Sequence, residues 1–484
     1  MQLDSVDNWV PDKSFKVPIY KQIFLHIREN ILSGKLEIGS RLKSQREMAK
    51  DMNVNRSTVV EALEELKAEG LIDGRGSRGT IVVNNTWSLL TSIARPNWDS
   101  YIKYGIYKPN LHTVQMINKL EFRDDIVRLG TGELSPELFP HEMMKAVMNK
   151  VSSKIYSLGY EEPKGSFDLR KEISKYVKQL GINVSPNSIL IVSGSIQAIQ
   201  LISMGILQRG SSVITEKPSY LKSLHIFQSL GINLRGVSMD NYGIKIQELL
   251  NSINSNTKAL YSIPTYHNPT GNVMPMFRRK ELLSVCMENR LPIIEDDAYR
   301  ELWIDKVPPP PLKSIDTTGT VLYIGTVSKS LAPGFRIGWI IGPEPVIERL
   351  GDIKMQTDYG ASSISQLILT EWMSSGLYSK YVDLLRNKLK VRRKIVLDTL
   401  DRYFSDIAVW NRPSGGFYVW LKIKGNISMK RLFHIAYKNG ILINPGSIYD
   451  FSKNSCIRIS YSYASETDMK LSLKKLSEII RSLM

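Results

Sequence analysis

The sequence predicts a multi-domain protein with a small α+β domain at the N-terminus and a larger α/β domain behind it. Apolar residues at helical spacing precede a glycine-rich hairpin in the first part of the chain, and apolar strands alternate with helices in the last part. The length of 484 residues exceeds the usual size of one domain. We place a first domain at residues 1–85, a connector at 86–125 and a second domain at 126–484.

The composition is that of an ordinary globular protein, with 42% hydrophobic and 23% charged residues. No apolar run reaches the roughly 18 residues that a bilayer requires, and the first residues lack the apolar core of a signal peptide. Two cysteines, Cys286 and Cys456, form neither a disulfide framework nor a four-cysteine metal site. We therefore expect a cytoplasmic protein with no metal centre and no membrane contact.

The net charge of +17 invites an interpretation as a nucleic-acid-binding protein. However, residues 1–85 contain 13 Lys and Arg against 12 Asp and Glu, so nearly all of the excess lies further along the chain. The position of individual charges must therefore decide which segment binds nucleic acid.

The first domain has the pattern of three helices and a hairpin. Isoleucines recur at every fourth position from Ile19 to Ile31, which predicts the first helix. Ser44 can cap a second, short helix, and a third follows at about residues 56–69. The stretch LIDGRGSRGTIVV then reads as a strand, a turn and a strand. This order predicts a winged helix-turn-helix.

Basic residues cluster at the start of the predicted third helix, and acidic residues lie at its far end. A recognition helix enters the major groove of DNA by its N-terminal residues, so this polarity favours DNA binding. Side chains there and on the wing can contact phosphates and base edges. The predicted DNA-contacting residues are Arg41, Lys43, Ser44, Arg46, Asn55, Arg56, Ser57, Thr58, Arg75 and Arg78. A helical interaction domain with a solvated charged face is the alternative.

The segment PIYKQIFLHIRENILSGKLEIGSRLKSQREMAKDMNVNRSTVVEALEELKAEGLI resembles the GntR class of bacterial winged-helix transcription regulators over its whole length. One departure is Lys43, because the family usually has Pro before the Ser-x-Arg motif. The change removes a rigid helix start and retains Ser44 and Arg46. The resemblance implies a double-stranded DNA operator as partner.

The connector is rich in aromatic residues, among them Trp87, Trp98, Tyr101, Tyr104 and Tyr107. A free linker would instead be rich in Gly, Ser or charged residues. We expect a connector partly docked on a domain or on a partner chain. Aromatic side chains that simply cover apolar surface are the alternative.

Beyond residue 125, strands and helices alternate, as the strand-like stretches SILIVSG, SSVITEKPSY, KALYSIP, LPIIEDDAY and TVLYIGTVSK indicate. This alternation predicts an α/β domain with a mostly parallel central sheet. Ligands of such sheets bind at the carboxyl ends of the strands. The polar residues of this domain cluster at those positions.

The polar residues match the chemistry that pyridoxal 5'-phosphate (PLP) requires. Lys329 directly follows a strand, and a desolvated lysine can form a Schiff base with an aldehyde. Arg336 can hold a phosphate, and Ser195 with the amide of Ile196 can form a phosphate cradle at a helix start. Asp296 ends an apolar strand, where a carboxylate would keep a pyridine nitrogen protonated.

Four more residues complete this set. Thr326 can add a hydroxyl at the phosphate, and Tyr299 and Asn268 can bind the ring hydroxyl oxygen. Tyr220 can stack on the ring face. Each residue alone has an ordinary structural explanation, but their order and spacing together predict PLP as the cofactor and Lys329 as the catalytic residue.

The same set resembles the fold type I aminotransferases across roughly residues 125–484, which implies a smaller C-terminal α+β subdomain. LGYEEPKGSFDLR resembles the family segment whose tyrosine, here Tyr160, reaches the cofactor phosphate of the neighbouring subunit, and this implies a dimer. Arg458, in CIRISYS, matches the arginine that binds the α-carboxylate of an amino acid. A strand arginine in a salt bridge is the alternative for Arg458.

A GntR-like head joined to a fold type I body resembles the MocR subgroup of bacterial transcription regulators. The resemblance implies a head-to-tail homodimer and a body that senses an amino acid or related amine through aldimine exchange at Lys329, without physiological turnover. Lys222 could contribute to effector binding, although it lacks the planar fork of an arginine. An active aminotransferase with a DNA-binding head, or a regulator that senses PLP itself, are the alternatives.

Overall fold

The computed structural model describes residues 9–74, 79–83, 98, 101, 105, 110–450, 452 and 454–484, without the side chains of residues 222 and 223. Two compact units divide the chain, Met1–Gly105 and Ile106–Met484. They are called the head and the body below.

The described part of the head contains three helices and a two-stranded antiparallel hairpin. Its elements are α1 (Ile19–Leu32), α2 (Gln45–Asp51), α3 (Arg56–Ala68), β1 (Ile72–Gly74) and β2 (Thr80–Val82). The helices form a core around Ile23, Val59 and Leu66, each with 0% exposure. The winged helix-turn-helix that the isoleucine spacing and the glycine-rich hairpin predict is therefore confirmed.

A capping box fixes the start of α2. Ser44 Oγ accepts a hydrogen bond from the Glu47 amide at 3.3 Å, and the Glu47 carboxylate accepts one from the Ser44 amide at 2.8 Å. Asn53 then adopts φ 49° in the turn before α3. The reciprocal cap explains how the chain begins α2 with Lys43 in place of proline.

The body contains the remaining helices and strands. Its helices are α4 (His112–Leu120), α5 (His141–Ser152), α6 (Phe167–Lys178), α7 (Ser195–Gly205), α8 (Leu221–Ser229), α9 (Ile246–Ser252), α10 (Met276–Glu288), α11 (Leu312–Ile315), α12 (Glu344–Thr357), α13 (Ser363–Ser374), α14 (Leu377–Tyr403), α15 (Met429–Lys438) and α16 (Glu466–Arg481). Its strands are β3 (Val127–Arg128), β4 (Ile189–Val192), β5 (Ser212–Lys217), β6 (Asn233–Asp240), β7 (Gly243–Ile244), β8 (Thr257–Ser262), β9 (Ile293–Asp296), β10 (Val321–Thr326), β11 (Gly338–Ile341), β12 (Ala408–Trp410), β13 (Tyr418–Ile423), β14 (Ile441–Leu442), β15 (Asn444–Pro445) and β16 (Cys456–Ser460).

The central sheet of the body has eight strands in the order β4-β11-β10-β9-β8-β5-β6-β7. The neighbours from β10 to β6 pair in parallel, whereas β11 is antiparallel to both of its neighbours. β4, β9 and β10 are buried along their whole length, as expected for a sheet covered by helices on both faces. The mostly parallel sheet predicted from the strand pattern is confirmed.

A smaller C-terminal subdomain is built on a four-stranded sheet in the order β12-β13-β16-β15. Its neighbouring strands pair antiparallel, and the buried face of α16 lies in the same core as β13 and β16. A short parallel pair, β3 with β14, ties the beginning of the body to this subdomain.

The last part of the predicted connector packs into the body. α4 buries Val114, Ile117 and Leu120 in the main core, because these residues lie on one helical face. The body therefore begins before residue 126, with a docked helix. Trp87, Tyr104 and Tyr107 lie outside the described residues. No helix of the described chain is long and apolar enough to cross a membrane.

Candidate functional sites

Lys329 lies in the loop that follows β10, in a half-buried position. Its Nζ donates a hydrogen bond to the Gly132 carbonyl oxygen at 2.7 Å. Thr326 and Ser328, on either side of the strand end, have their hydroxyl oxygens 2.9 Å apart and are both buried. Lys329 therefore follows a strand end that is lined by two buried hydroxyl groups.

One pocket, called here the Lys329–Arg336 pocket, is lined by nine of the ten residues that the sequence predicts to bind a cofactor. Eight of them lie at or just beyond the carboxyl ends of strands of the central sheet, where ligands of parallel sheets bind, and Arg336 lies two residues before the antiparallel strand β11. These residues are Ser195, Ile196, Tyr220, Asn268, Asp296, Tyr299, Thr326, Lys329 and Arg336. The tenth, Tyr160, is 82% exposed and lies against the ring of Tyr359 at a centroid distance of 4.9 Å.

Asp296 ends β9 with a buried carboxyl group. Its Oδ2 accepts a hydrogen bond from Tyr261 Oη at 2.7 Å, and its Oδ1 accepts one from the Ala298 amide at 3.3 Å. Burial raises the pKa of Asp296 to about 6, although the Tyr261 hydrogen bond acts in the opposite direction. A buried carboxylate of this kind is stabilised by a cationic partner.

Arg336 and the start of α7 form the other end of this pocket. Arg336 has φ 53°, and its Nη2 donates to the Ser193 carbonyl oxygen at 2.7 Å. A Cβ on Gly194 would lie 2.9 Å from that Nη2, so glycine is what permits the close approach. The free amides at the start of α7, which begins at Ser195, and the guanidinium group together suit a phosphate.

A second pocket, the Lys329–Arg458 pocket, shares Lys329, Glu133, Tyr220 and Tyr299 with the first. It is lined by Val114, Ile117, Glu121, Thr131, Gly132, Glu133, Tyr220, Tyr299, Lys329, Tyr418, Asn444, Ile448, Tyr449 and Arg458. The two predicted ligand-binding cations, Lys329 and Arg458, therefore line one cavity.

Arg458 is held firmly in this cavity with 4% exposure. Its Nη1 donates to Asn268 Oδ1 at 2.8 Å, and its Nη2 donates to the Gly130 carbonyl oxygen at 2.6 Å. The guanidinium carbon lies 4.0 Å from the ring centroid of Tyr418 and 4.8 Å from that of Tyr449. Nε has no hydrogen-bond partner within the described chain. The two hydrogen bonds go to an amide and a carbonyl, so they do not neutralise the charge of Arg458.

The sequence did not identify several residues that shape these pockets. Tyr261 donates a hydrogen bond to Asp296. The ring of Tyr418 contacts Arg458, and the hydroxyl oxygen of Tyr418 lies 3.0 Å from that of Tyr299. Gly130 is also required, because a Cβ there would lie 2.3 Å from Asn444 Oδ1. The position of Tyr261 near the end of an apolar strand was a usable signal, since the predicted parallel sheet brings the carboxyl ends of its strands to one edge.

The surface of the head that is predicted to contact DNA, called the DNA-facing surface below, includes the exposed start of α3. Asn55, Arg56 and Ser57 are exposed, and Arg56 Nη2 donates to Gln45 Oε1 at 3.0 Å. Lys43 forms an ion pair with Asp51 at 2.8 Å, in which both side chains are about half exposed. Arg41 lies beside the wing, because its backbone forms an isolated β-bridge with Ile81 of β2.

The acids at the far end of α3 are tied to α1. Lys21 binds Glu65 at 2.8 Å and Arg28 binds Glu69 at 3.0 Å. The basic tip and the acidic end that the sequence indicates are thus separated along α3. Arg75, Arg78 and the side chain of Lys222 lie outside the described residues.

The fold and these sites define a class of protein that joins a DNA-binding winged-helix head to an aminotransferase-like body. Residues 124–476 match the family of aminotransferases class I and II, and residues 19–82 match the bacterial regulatory proteins of the gntR family. The chain belongs to the aminotransferase class I and II family, in the MocR-type architecture that carries a GntR head.

Curated relatives share the whole architecture. The uncharacterized HTH-type transcriptional regulator YdfD of Bacillus subtilis is 53% identical over 472 residues, which cover 97% of this chain and 98% of that protein. The HTH-type transcriptional regulator NorG of Staphylococcus aureus is 36% identical over 446 residues, 91% of this chain and 99% of NorG. The chain is accordingly a DNA-binding transcription regulator with an aminotransferase-like domain.

Solved structures resemble the body. A Pyrococcus horikoshii kynurenine aminotransferase, in complex with PMP, is 29% identical with a TM-score of 0.74, covering 78% of this chain and 95% of its own. LysN of Thermus thermophilus, an α-aminoadipate aminotransferase complexed with N-(5'-phosphopyridoxyl)-L-leucine, is 26% identical with a TM-score of 0.73, covering 80% and 99%.

PLP is the cofactor of this fold, and the Lys329–Arg336 pocket fits it. The pocket offers a half-buried amine at Lys329 and a buried carboxyl group at Asp296. It also offers an anion cradle between Arg336 and α7, whose shape depends on the absence of a Cβ at Gly194. These three features correspond to the aldehyde, the pyridine nitrogen and the phosphate of PLP.

Proposed function

We propose that the body senses an amino acid or a related amine at Lys329 and that this binding controls how the head engages its operator. The observation that carries the proposal is the Lys329–Arg458 pocket, which places a primary amine beside a buried guanidinium group to which no carboxylate of the described residues is hydrogen-bonded. Such a pocket suits a ligand with an amine and a carboxylate, and the same chain carries a DNA-binding head.

The proposed cofactor contacts follow from the geometry of the Lys329–Arg336 pocket. PLP, when held on Lys329, would supply reversible exchange with primary amines. Asp296 would hold the ring nitrogen, and Arg336 with the amides of Ser195 and Ile196 would hold the phosphate. The remaining contacts, to the ring and its substituents, are proposed for Tyr220, Asn268, Tyr299 and Thr326.

Arg458 is proposed to bind the carboxylate of the effector. Asn268 and the Gly130 carbonyl hold two of its nitrogens in place, so little ordering remains to be done when the ligand arrives. The rings of Tyr418 and Tyr449 pack against its guanidinium group, and the low polarity of this surrounding would strengthen a charge-assisted contact. Lys222 stays a proposed additional contact.

A route from effector to head is suggested by α4. Val114 and Ile117 of this helix line the Lys329–Arg458 pocket, and α4 is the first described helix of the body after the connector. A ligand that shifts α4 would therefore act on the chain segment that leads to the head. Such coupling requires two arrangements of the protein that the ligand binds with different affinity.

The working form is proposed to be a head-to-tail homodimer in the cytoplasm, with Tyr160 reaching the cofactor phosphate of the partner subunit. The 82% exposure of the Tyr160 side chain is compatible with such a contact. DNA contacts are proposed for the exposed residues at the tip of α3 and on α2, and for the wing residues Arg75 and Arg78.

An active aminotransferase is the second candidate, because the amine of Lys329, Asp296 and Arg458 are all in place. The visible absorption spectrum of the purified holoprotein, followed while single amino acids are added, separates the two functions. A cofactor band that shifts with one amine and then persists supports a sensor. Bleaching with release of the matching oxo acid would identify a transaminase.

Lys329→Ala tests the sensing role itself. We expect the variant to bind DNA and to lose both the covalent cofactor band and the response of DNA binding to the effector. A variant that still responds to the amine would contradict the proposal. If PLP alone changed DNA binding in the wild type and no amine did, the protein would be a sensor of PLP.

A further inference from the structure

We propose that an exposed basic face of the C-terminal subdomain binds the phosphate backbone of double-stranded DNA beside the operator. Residues 377–484, which contain α14 and this subdomain, hold 20 Lys and Arg against 8 Asp and Glu, so the excess there is 12. The net charge of the whole chain is +17. Most of the excess positive charge of this DNA-binding protein therefore lies outside its DNA-binding head. A contact of this kind does not depend on what the body senses.

Two neighbouring helices of the subdomain, α15 and α16, carry the face. Both bury their apolar sides in the same core. Lys475 Nζ of α16 donates a hydrogen bond to the carbonyl oxygen of Asn439, directly after α15, at 3.2 Å. At the other end, a Cβ on Gly425, before α15, would lie 3.2 Å from Met484 Cε, after α16. The two helices therefore lie antiparallel and side by side. Their exposed cations, called here the α15–α16 face, are Lys430, Arg431, Lys438, Lys470, Lys474 and Lys475.

Few acids accompany these cations. α15 contains no Asp or Glu, and Glu466 and Asp468 of α16 both lie in its first turn. The remaining turns of α16 contain one acid, Glu478. Among the residues that the structure describes, no acid forms an ion pair with a member of the α15–α16 face. The charge of this face is therefore available to an anionic partner.

The exposed side of α14 shows how the same subdomain neutralises charge elsewhere. α14 shares the core of α15 and α16. Its Lys394 pairs with Asp398 at 2.6 Å, and its Asp401 pairs with Arg412 at 2.5 Å. Opposite charges interspersed in this way suffice to keep a surface soluble. The α15–α16 face lacks such pairs, which favours a binding role for its charge.

Lys430 and Arg431 lie at the end of α15 where a cation is least favourable for the helix itself. Ser428 Oγ accepts a hydrogen bond from the Arg431 amide at 3.3 Å and so caps the helix. The first turn contains these two cations and no acid, although the positive end of the helix dipole prefers an acid. Arg56 has the same unfavourable place at the start of α3, which is predicted to contact DNA. A phosphate group would be attracted by both cations and by the helix end.

The chemistry of the face fits DNA beside the operator. At about 1.5 Å per residue, Lys430 and Lys438 lie about 12 Å apart along α15, the length of three to four base pairs. Lysine and arginine contacts to phosphates position DNA without reading its sequence. Because the head holds the operator, the neighbouring DNA has a high effective concentration for a surface on the same chain. The favoured occupant is therefore flanking DNA of any sequence.

Fluorescence anisotropy of the full-length holoprotein with two duplexes tests the contact. One duplex contains only the operator, and the other adds random sequence on both sides. We expect the wild type to bind the flanked duplex about tenfold more tightly. The variant Lys430→Gln, Arg431→Gln, Lys438→Gln, Lys474→Gln should lose this advantage and bind the short duplex as the wild type does. On the flanked duplex, the slope of log affinity against log salt should fall by about 3 to 4, about one for each lost phosphate contact.

The matched control removes the same charge elsewhere on the body, by Lys171→Gln, Arg209→Gln, Lys258→Gln and Lys280→Gln. It should keep the advantage of the flanked duplex, and melting temperature and cofactor absorbance report that both variants are folded. Equal losses in both variants would show an effect of net charge alone and overturn the proposal, as would equal binding of the two duplexes by the wild type. If the face variant lost binding to phosphatidylglycerol vesicles and kept its DNA affinity, the partner would be a membrane surface and the proposal wrong. Each of these outcomes leaves amine sensing at Lys329 to its own spectroscopic test.

Discussion

The DNA-facing surface of the head and the Lys329–Arg458 pocket of the body differ in how much of their geometry the chain fixes by itself. Asn55, Arg56 and Ser57 are exposed, and the Asn55 side chain makes no capping hydrogen bond to α3. Arg458, by contrast, is buried, packs against two tyrosine rings and donates two hydrogen bonds. The predicted DNA-contacting side chains of the head would be ordered by DNA itself, whereas the Lys329–Arg458 pocket of the body is already preorganised.

This difference has a consequence for substitutions. Changes at the tip of α3 should alter DNA affinity with little effect on folding, because exposed side chains contribute little to stability. Changes around Arg458 should alter ligand affinity and local packing together. The largest effects on either unit should come from its buried core.

Leu66→Ala should produce the largest effect, because Leu66 has 0% exposure in the core of the head. We expect the free energy of unfolding of the head to fall by about 2–5 kcal/mol. Operator binding should then be lost while the cofactor absorbance of the body remains. Leu25→Ala, at a leucine that is 45% exposed on α1, is the matched control and should retain binding. A parallel loss of cofactor would show that the two units do not fold independently.

The pH dependence of cofactor binding should reveal Asp296. Burial raises its pKa to about 6 from an ordinary value of 3.8. Because the pKa of Asp296 is higher in the folded protein than in the unfolded chain, burial of this carboxyl group does not lower the stability below pH 3.8. As the pH rises from 3.8 through 6, the stability falls, because the carboxyl group must ionise in a buried position. This cost reaches about 3 kcal/mol above that pH, and pairing with a protonated ring nitrogen removes it.

The increase in melting temperature on adding PLP should therefore be larger at pH 8 than at pH 5. Asp296→Asn should lose most of this difference. Glu216 and Glu295 also have pKa values raised to about 7 by burial. The titration of Glu295 should be the same in the variant, whereas the pKa of Glu216 should fall slightly, because the charge of Asp296 contributes to raising it. An unchanged pH dependence in Asp296→Asn would exclude the proposed role of the carboxylate.

Arg56→Ala should weaken operator binding by about 1–3 kcal/mol without changing the cofactor band. Lys67→Ala is the matched control, since Lys67 is an exposed cation at the other end of α3. We expect the control to change affinity less than twofold in a fluorescence anisotropy titration with an operator selected from random DNA. Equal losses in both variants would mean that the N-terminal end of α3 has no special role in operator binding.

Gly130→Ala should weaken effector binding without releasing the cofactor. The new Cβ would lie 2.3 Å from Asn444 Oδ1, so the loop whose carbonyl holds Arg458 must move. Overpacking of this kind costs about 1–3 kcal/mol. Gly159→Ala, where nothing lies within 4 Å of the new Cβ, is the control. Unchanged calorimetric affinity in Gly130→Ala would argue against Arg458 as the carboxylate ligand.

The two sites were predictable from the sequence to different depths. Residue type and position at the end of a strand predicted Lys329 and Asp296, because parallel strands bring their carboxyl ends to one edge, and Arg336 was predicted from its place seven residues after Lys329. The contacts of Tyr418 with Tyr299 and of Gly130 with Arg458 were not predictable, since each joins segments more than 100 residues apart and depends on the placement of the C-terminal subdomain. α4 was not predicted, because the aromatic and proline-rich residues before it indicated a connector. The apolar spacing typical of a helix was nevertheless present in its sequence.

The central claim is that effector binding in the body and operator binding by the head are energetically coupled. The direct test measures the dissociation constant of the operator with and without a saturating amine, and that of the amine with and without the operator. Coupling requires both constants to change by the same factor, typically between 5-fold and 150-fold. An amine that binds at Lys329 and leaves the operator affinity unchanged would contradict the account.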